Sequence, residues 1–281
     1  MEQMSKLNNG IEMPMVGFGV FQVSDDETEK AVLTALKAGY RLLDTAAVYA
    51  NEGGVGRAIK ASGIPREEIF VTTKLWIQRQ NGYENTKKAL ADSLERLGLD
   101  YVDLYLMHQP FGDVHEQWRA MEDLYKAGKA RAIGVCNFHT DRLMDLITCH
   151  EIVPAVNQIE THPFYQREAE LAFHKEYGIL HQSWGPLAEG KFDIFTNPIL
   201  TKIAEKHGKS VAQVILRWLN QRGVAIIPKS VKEERMIENH DIFGFTLDEQ
   251  DFADIATLNR DEIIFDHRDP AMIKWLAEFR G

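Results

Sequence analysis

The chain alternates short apolar runs with amphipathic stretches almost from end to end, and this alternation limits what it can fold into. Eight runs read as strands: 16–20, 41–44, 69–73, 102–107, 132–136, 155–159, 179–183 and 224–227. None shows strict polar alternation, as expected of strands buried on both faces. Each precedes a segment of helical period: 24–38, 54–61, 83–97, 116–127, 141–149, 167–177, 210–221 and 248–258. Eight strand-then-helix units predict an α/β fold, the (β/α)8 TIM barrel. A doubly wound sheet is the alternative. It carries G-x-G-x-x-G after its first strand, whereas Gly17-Phe18-Gly19 runs on into Val20-Phe21-Gln22.

The ends add to the barrel. Asn9-Gly10 suits a tight turn and Pro14 ends the second arm, so residues 1–15 read as an N-terminal hairpin. The tail, 259–281, holds a further helix over 270–279. Ser24 with Asp25, Asp26 and Glu27 reads as an N-cap and acidic first turn. Gly53-Gly54-Val55-Gly56 lacks a following Gly-Lys-Ser/Thr and reads as a flexible helix start, not a phosphate loop. At 281 residues the length alone suggests two domains of roughly 150, but such barrels form one of roughly 250. We read 1–281 as a single domain.

The balance of 32 Lys and Arg against 42 Asp and Glu, a net charge of −10, argues against nucleic acid or an anionic membrane as the main ligand. Two cysteines, Cys136 and Cys149, supply neither a disulfide framework nor a Cys-rich metal site. A signal peptide and a membrane-length apolar run are both absent, so a cytoplasmic protein in a reducing compartment is expected.

Strand ends carry the chemistry of a barrel. The second ends at Asp44, the third at Lys74 and the fourth at His108, with Tyr49 in the loop after the second. A phenol with a reference pKa of about 10 is a poor acid unless positive charge favours its phenolate. Lys74 would lower the Tyr49 pKa, Asp44 would keep the lysine charged, and neutral His108 would orient a substrate carbonyl. Each residue singly has a plainer explanation as a solvated strand end or a satisfied histidine. Four on successive rims form a proton-donor site.

Several stretches, Gly17-Phe18-Gly19, Asp44-Thr45-Ala46 with Tyr49-x-Asn51-Glu52, Thr73-Lys74, Leu106-x-His108, Gly134-Val135-x-Asn137-Phe138, Asn157-Gln158-x-Glu160 and Ile227-Pro228-Lys229-Ser230, resemble the aldo-keto reductases. The resemblance implies the barrel fold, a catalytic tetrad of Asp44, Tyr49, Lys74 and His108, and NADPH-dependent reduction of aldehydes or ketones. It also implies that Asn137 and Gln158 hold the nicotinamide carboxamide, that Trp184 stacks on the ring, and that Leu187 is a further cofactor-binding residue. Trp184, where many members have Tyr, is similar to a microbial branch that includes the 2,5-diketo-D-gluconate reductases. Cys136 replaces the usual Ser, which puts one cofactor hydrogen bond in question. Lys229, Ser230, Arg235 and Asn239 match the adenosine 2′-phosphate site, where two cations and a hydroxyl suit a dianion.

Phe21, Trp76 and His108 are expected to line the substrate pocket, and the tail either covers the mouth or packs on the side of the barrel. The expected partner is a small carbonyl compound, the expected state a monomer, and no metal is implied. The competing function is a cofactor-sensing binding subunit of the same fold with slow turnover. A full tetrad and a short N-terminus speak against it.

Overall fold

The computed structural model describes residues 3–76 and 82–279; residues 1–2 of the expected hairpin and 280–281 of the expected tail lie outside it. The hairpin pairs β1 (Met4–Lys6) antiparallel with β2 (Glu12–Pro14). Its loop is longer than a two-residue turn: Leu7 N–H donates to Ile11 O at 2.8 Å, and only Gly10 has a positive φ, +89°. Asn9 instead uses its side chain, which donates to Arg131 O at 2.9 Å, while that of Asn8 donates to Pro154 O at 3.1 Å. These bonds tack the hairpin to the base of the barrel.

The eight predicted strands are all present: β3 (Gly17–Gly19), β4 (Leu42–Asp44), β5 (Phe70–Leu75), β6 (Val102–Met107), β7 (Ala130–Cys136), β8 (Val156–Glu160), β9 (Leu180–Trp184) and β10 (Ala225–Ile226). They pair in parallel and in chain order, and a bridge between Val16 and Ile226 closes the ring. Around it lie α1 (Asp25–Lys37), α2 (Glu52–Ser62), α3 (Tyr83–Leu97), α4 (Val114–Lys126), α5 (Thr140–Cys149), α6 (Glu168–Glu176), α7 (Pro198–His207), α8 (Val211–Gln221), α9 (Glu233–His240), α10 (Glu249–Ala256) and α11 (Pro270–Glu278).

Two helices, α7 and α9, have no counterpart in the sequence reading. A signal for α7 was present: Asn197 accepts from Ile199 N–H at 3.0 Å and Leu200 N–H at 3.3 Å, and Pro198 takes the first helical position. Ser24 stands at the N-cap of α1 with Asp25, Asp26 and Glu27 in the first turn, as expected, but its hydroxyl donates to Glu27 Oε2 at 2.7 Å instead of accepting from a backbone N–H. One expectation about α2 is corrected. Gly54 and Gly56 of α2 serve close packing, not flexibility. A Cβ on Gly54 would lie 2.2 Å from Asp25 O, and one on Gly56 2.1 Å from Leu97 O.

Side chains alternate across each strand. Leu42, Phe70, Leu104, Leu106, Ala132 and Val156 form one buried cluster with Leu7, Met13 and Met15 of the hairpin, so the hairpin stoppers the amino end of the interior. Tyr105, Met107, Ile133 and Val135 point the other way, into the layer shared with the helices. In phase with the inner set, and nearer the carboxyl ends, come Asp44, Lys74, His108, Gln158 and Gln182.

Candidate active site

Tyr49 closes a 3-10 turn (Ala47–Tyr49) after β4. Asn51 pins that loop: its Nδ2 donates to Val20 O at 2.9 Å and Val23 O at 3.0 Å, and its Oδ1 accepts from Thr45 Oγ1 at 2.8 Å. The loops after the first two barrel strands are thereby fastened together. Lys74 Nζ, fully buried, donates to Asp44 Oδ1 at 2.5 Å, Thr45 O at 2.9 Å and the Tyr49 hydroxyl at 3.4 Å. All three ammonium hydrogens are engaged. Asp44 Oδ2 accepts from Gln158 Nε2 at 2.8 Å, and the same nitrogen donates to Gln182 Oε1 at 2.8 Å. A polar chain therefore crosses the barrel from β9 to Tyr49.

Burial pushes the Tyr49 phenol up to about 12, and the nearby Lys74 charge lowers it only in part. The expected net lowering by lysine is thus overturned for the free protein. The phenol keeps its proton at neutral pH. Burial disfavours the Lys74 ammonium, but the Asp44 carboxylate outweighs it and holds the ammonium above the usual lysine range. Burial, then the Lys74 charge, drives His108 well below the ordinary imidazole range. It is neutral, as the orienting role requires.

The rings of Tyr49 and His108 meet edge-on at 5.7 Å, those of Trp76 and His108 at 5.0 Å, and Phe21 lies 5.0 Å from Tyr49. Phe21 is 46% exposed, an outer lip, whereas Trp76 is buried. The tail reaches this wall: Trp76 Nε1 donates to Phe279 O at 3.2 Å, and Leu276, Phe265 and Met272 pack around the indole. The tail lies at the mouth.

Asn137 sits just past β7 at φ +62°, its Oδ1 accepting from Trp184 Nε1 at 2.7 Å and its Nδ2 donating to His108 O at 3.2 Å. Gln158 has both amide hydrogens engaged, which leaves its carbonyl oxygen as the acceptor for a carboxamide N–H. Leu187 is half-buried beside the turn Ala188–Gly190. Cys136 is buried among the inward apolar residues, and burial raises its thiol far above the ordinary value, so it carries no thiolate. Lys229 and Ser230 follow β10, and Arg235 and Asn239 lie one turn apart on α9. Ser230 Oγ accepts from Lys232 N–H at 3.1 Å. Lys229 and Arg235 are exposed, and neither forms an ion pair among the described residues. Free cations, a hydroxyl and an amide acceptor fit NADPH.

Gln182, Glu160 and His267 also belong to this region and were not singled out as site residues. Gln182 was recoverable, since it lies two residues before Trp184 on the same inward face. His267, 6.1 Å ring to ring from Trp184, arrives from a distant loop and left no local signal.

A mouth of this kind can hand a proton to an oxygen whose carbon is gaining a hydride, which places the chain among the barrel oxidoreductases that act on carbonyl groups. It belongs to the aldo/keto reductase family, whose profile matches residues 15–260. It is 53% identical to glyoxal reductase of Bacillus subtilis over 259 residues, 92% of this chain and 93% of that one. With methylglyoxal reductase DkgA of Escherichia coli the identity is 43% over 258 residues, 91% of this chain and 93% of the other. Of solved structures, an aldo/keto reductase from Brucella melitensis aligns with a TM-score of 0.89 at 48% identity, covering 92% of this chain and 100% of that one. A Bombyx mori aldo-keto reductase in complex with NADP aligns with a TM-score of 0.90 at 35% identity, covering 100% and 99%. The protein is an NADPH-dependent reductase of aldehydes and ketones.

Proposed function

We propose that Tyr49 is the general acid of this reduction, that Lys74 and Asp44 hold it in place, and that His108 orients the carbonyl. The observation that carries this reading is the triple donation of the buried Lys74 ammonium to Asp44, Thr45 and Tyr49. NADPH supplies the hydride when bound. Asn137, Gln158, Trp184 and Leu187 would hold its nicotinamide, and Lys229, Ser230, Arg235 and Asn239 its adenosine phosphate. As the carbonyl oxygen becomes negative, the phenol gives up its proton, and the adjacent ammonium stabilises the phenolate that remains. Neutral His108 donates one hydrogen bond to the same oxygen.

The substrates are small aldehydes with a second carbonyl, lying between Phe21, Trp76 and His108. Support comes from relatives named as glyoxal and methylglyoxal reductases and from the close set of rings around Tyr49. The chain is further read as a one-domain cytoplasmic monomer that engages neither nucleic acid nor membrane. Its net charge of −10 supports this, as does a closed ring of strands with no open edge to pair. No helix among the described residues is long and apolar enough to cross a membrane.

Steady-state oxidation of NADPH with glyoxal, methylglyoxal and a bulkier aryl ketone tests the reading. The highest kcat/KM is expected with the two dicarbonyls. Tight NADPH binding without turnover on any of them would favour the cofactor-sensing alternative instead.

A further inference from the structure

We propose that Glu160 is a positioning residue that fastens the C-terminal segment 261–279 across the barrel mouth and so shapes its substrate end. The substrate part of this proposal rests on the function proposed above. The fastening part stands on geometry alone.

Glu160 ends β8 and is 2% exposed. A carboxylate that far from water must be met by donors. Two of them come from the tail: Ile264 N–H donates to Oε1 at 2.6 Å, and Phe265 N–H to Oε2 at 3.3 Å. Adjacent backbone amides, more than a hundred residues further along the chain, thus clasp the two oxygens of one side chain. The third donor is the buried His162, whose Nε2 lies 3.0 Å from Oε1. The carboxylate itself bonds none of Asp44, Tyr49, Lys74 or His108, so any effect it has on the reaction passes through the tail.

Beyond the clasp the tail crosses to the other side of the ring. Phe265 packs against the cluster of Trp76 and Leu276, and Phe279 O accepts from the indole N–H, which anchors the far end near the end of β5. Between the two anchors His267 meets the edge of Trp184 at 6.1 Å and Phe265 at 4.9 Å. Phe265 and His267 from the tail, with Glu160, Tyr165 and Arg167 from the barrel, wall a cavity of about 520 Å³ whose lining includes none of Tyr49, Trp76 and His108. Unfastening Glu160 would therefore reach the substrate end through the tail residues that back Trp76, not through this cavity.

The test is hydrogen exchange and kinetics on the full chain, comparing wild type with Glu160→Ala and Glu160→Gln. In Glu160→Ala the amides of 262–268 should exchange at least tenfold faster while β4 to β7 keep their protection. Glu160→Gln keeps one acceptor oxygen and should fall between, and it carries the test if the alanine variant does not fold. The ratio of kcat/KM for a bulky aryl aldehyde to that for methylglyoxal should shift at least fivefold in Glu160→Ala, with NADPH affinity unchanged within twofold. Unchanged exchange in both variants, or exchange that rises equally in the barrel strands, would overturn the fastening. A substrate ratio that stays put while the tail exchanges faster would overturn its role in shaping the site. Wild-type protein without turnover would count against the proposed function, and the exchange result would still decide on the clasp.

Discussion

Lys74 Nζ and Asp44 Oδ1 lie 2.5 Å apart with side chains 0% and 3% exposed, an ion pair almost wholly withdrawn from water. Such a pair contributes little net stability compared with apolar packing, but losing one member strands the other, which costs about 3–5 kcal/mol. Lys74→Met should therefore lower the free energy of unfolding by about that amount in urea titration, besides removing activity. A variant as stable as wild type would show that water screens the pair in solution.

Tyr49→Phe separates chemistry from architecture. Among the described residues the hydroxyl has one bond, at 3.4 Å to Lys74, so folding should change little. Carbonyl reduction should fall by about 10²–10⁴-fold or more, the usual worth of general acid catalysis. NADPH titration should give the same Kd within twofold. If more than half the turnover survives, the proton comes from elsewhere.

Arg235 is the residue proposed to meet the 2′-phosphate, so it is the place to test cofactor choice. Charge-assisted hydrogen bonds contribute about 1.5–3 kcal/mol each, so Arg235→Ala should weaken NADPH about ten- to a hundredfold. NADH lacks the 2′-phosphate and should bind the variant and wild type alike. Fluorescence titration with both nucleotides decides it, and an equal loss for the two would assign Arg235 to the fold or to the adenine.

Acid should destabilise the protein earlier than its carboxylates would. Burial holds His108 and His181 well below the ordinary imidazole value, His174 at about 3 and His267 at about 4. Below about pH 6.5 the unfolded chain takes up protons that the folded chain refuses, so this stability is complete above that pH and is lost as pH falls toward the folded values. By pH 5 His267 alone accounts for about 2 kcal/mol. Melting temperatures at pH 7.5 and 5.0 should differ by several degrees, lower at pH 5.0. Equal values would mean that these rings reach water.

The glycines of α2 divide by what surrounds them. Gly56→Ala would press a methyl against Leu97 O, a backbone atom, and overpacking of this kind costs about 1–3 kcal/mol. Gly53→Ala meets only the ends of Arg57 and Asp25, which can swing aside, and the better helix former should leave stability equal or slightly higher. Urea titration of the two variants should rank them in that order.

The barrel was legible because buried parallel strands write themselves as apolar runs, and Asp44, Lys74 and His108, proposed for the chemistry, because each stands at or next to the end of one of those runs in phase with its inward side. Tyr49 was legible only through its company, since its place depends on Asn51 reaching back to Val20 and Val23. What the residues could not disclose was long-range. The clasp of Glu160 on Ile264 and Phe265 joins positions with no local pattern in common, and burial of Tyr49 outweighs a neighbouring charge only once the surrounding walls exist. Gly54 and Gly56 misled for the same reason: a glycine that admits a neighbouring backbone and one that bends freely look identical in a sequence.

The hairpin that stoppers the amino end makes the interior a cul-de-sac. Leu7, Met13 and Met15 close it with the same apolar residues that line its floor, so arrivals and departures share the carboxyl doorway. Whichever of two ligands rests deeper must arrive first and leave last. If the nicotinamide is the deeper one, turnover follows a compulsory order with NADP+ as the final passenger out, and release of the spent nucleotide becomes a step that can set the pace of the whole cycle.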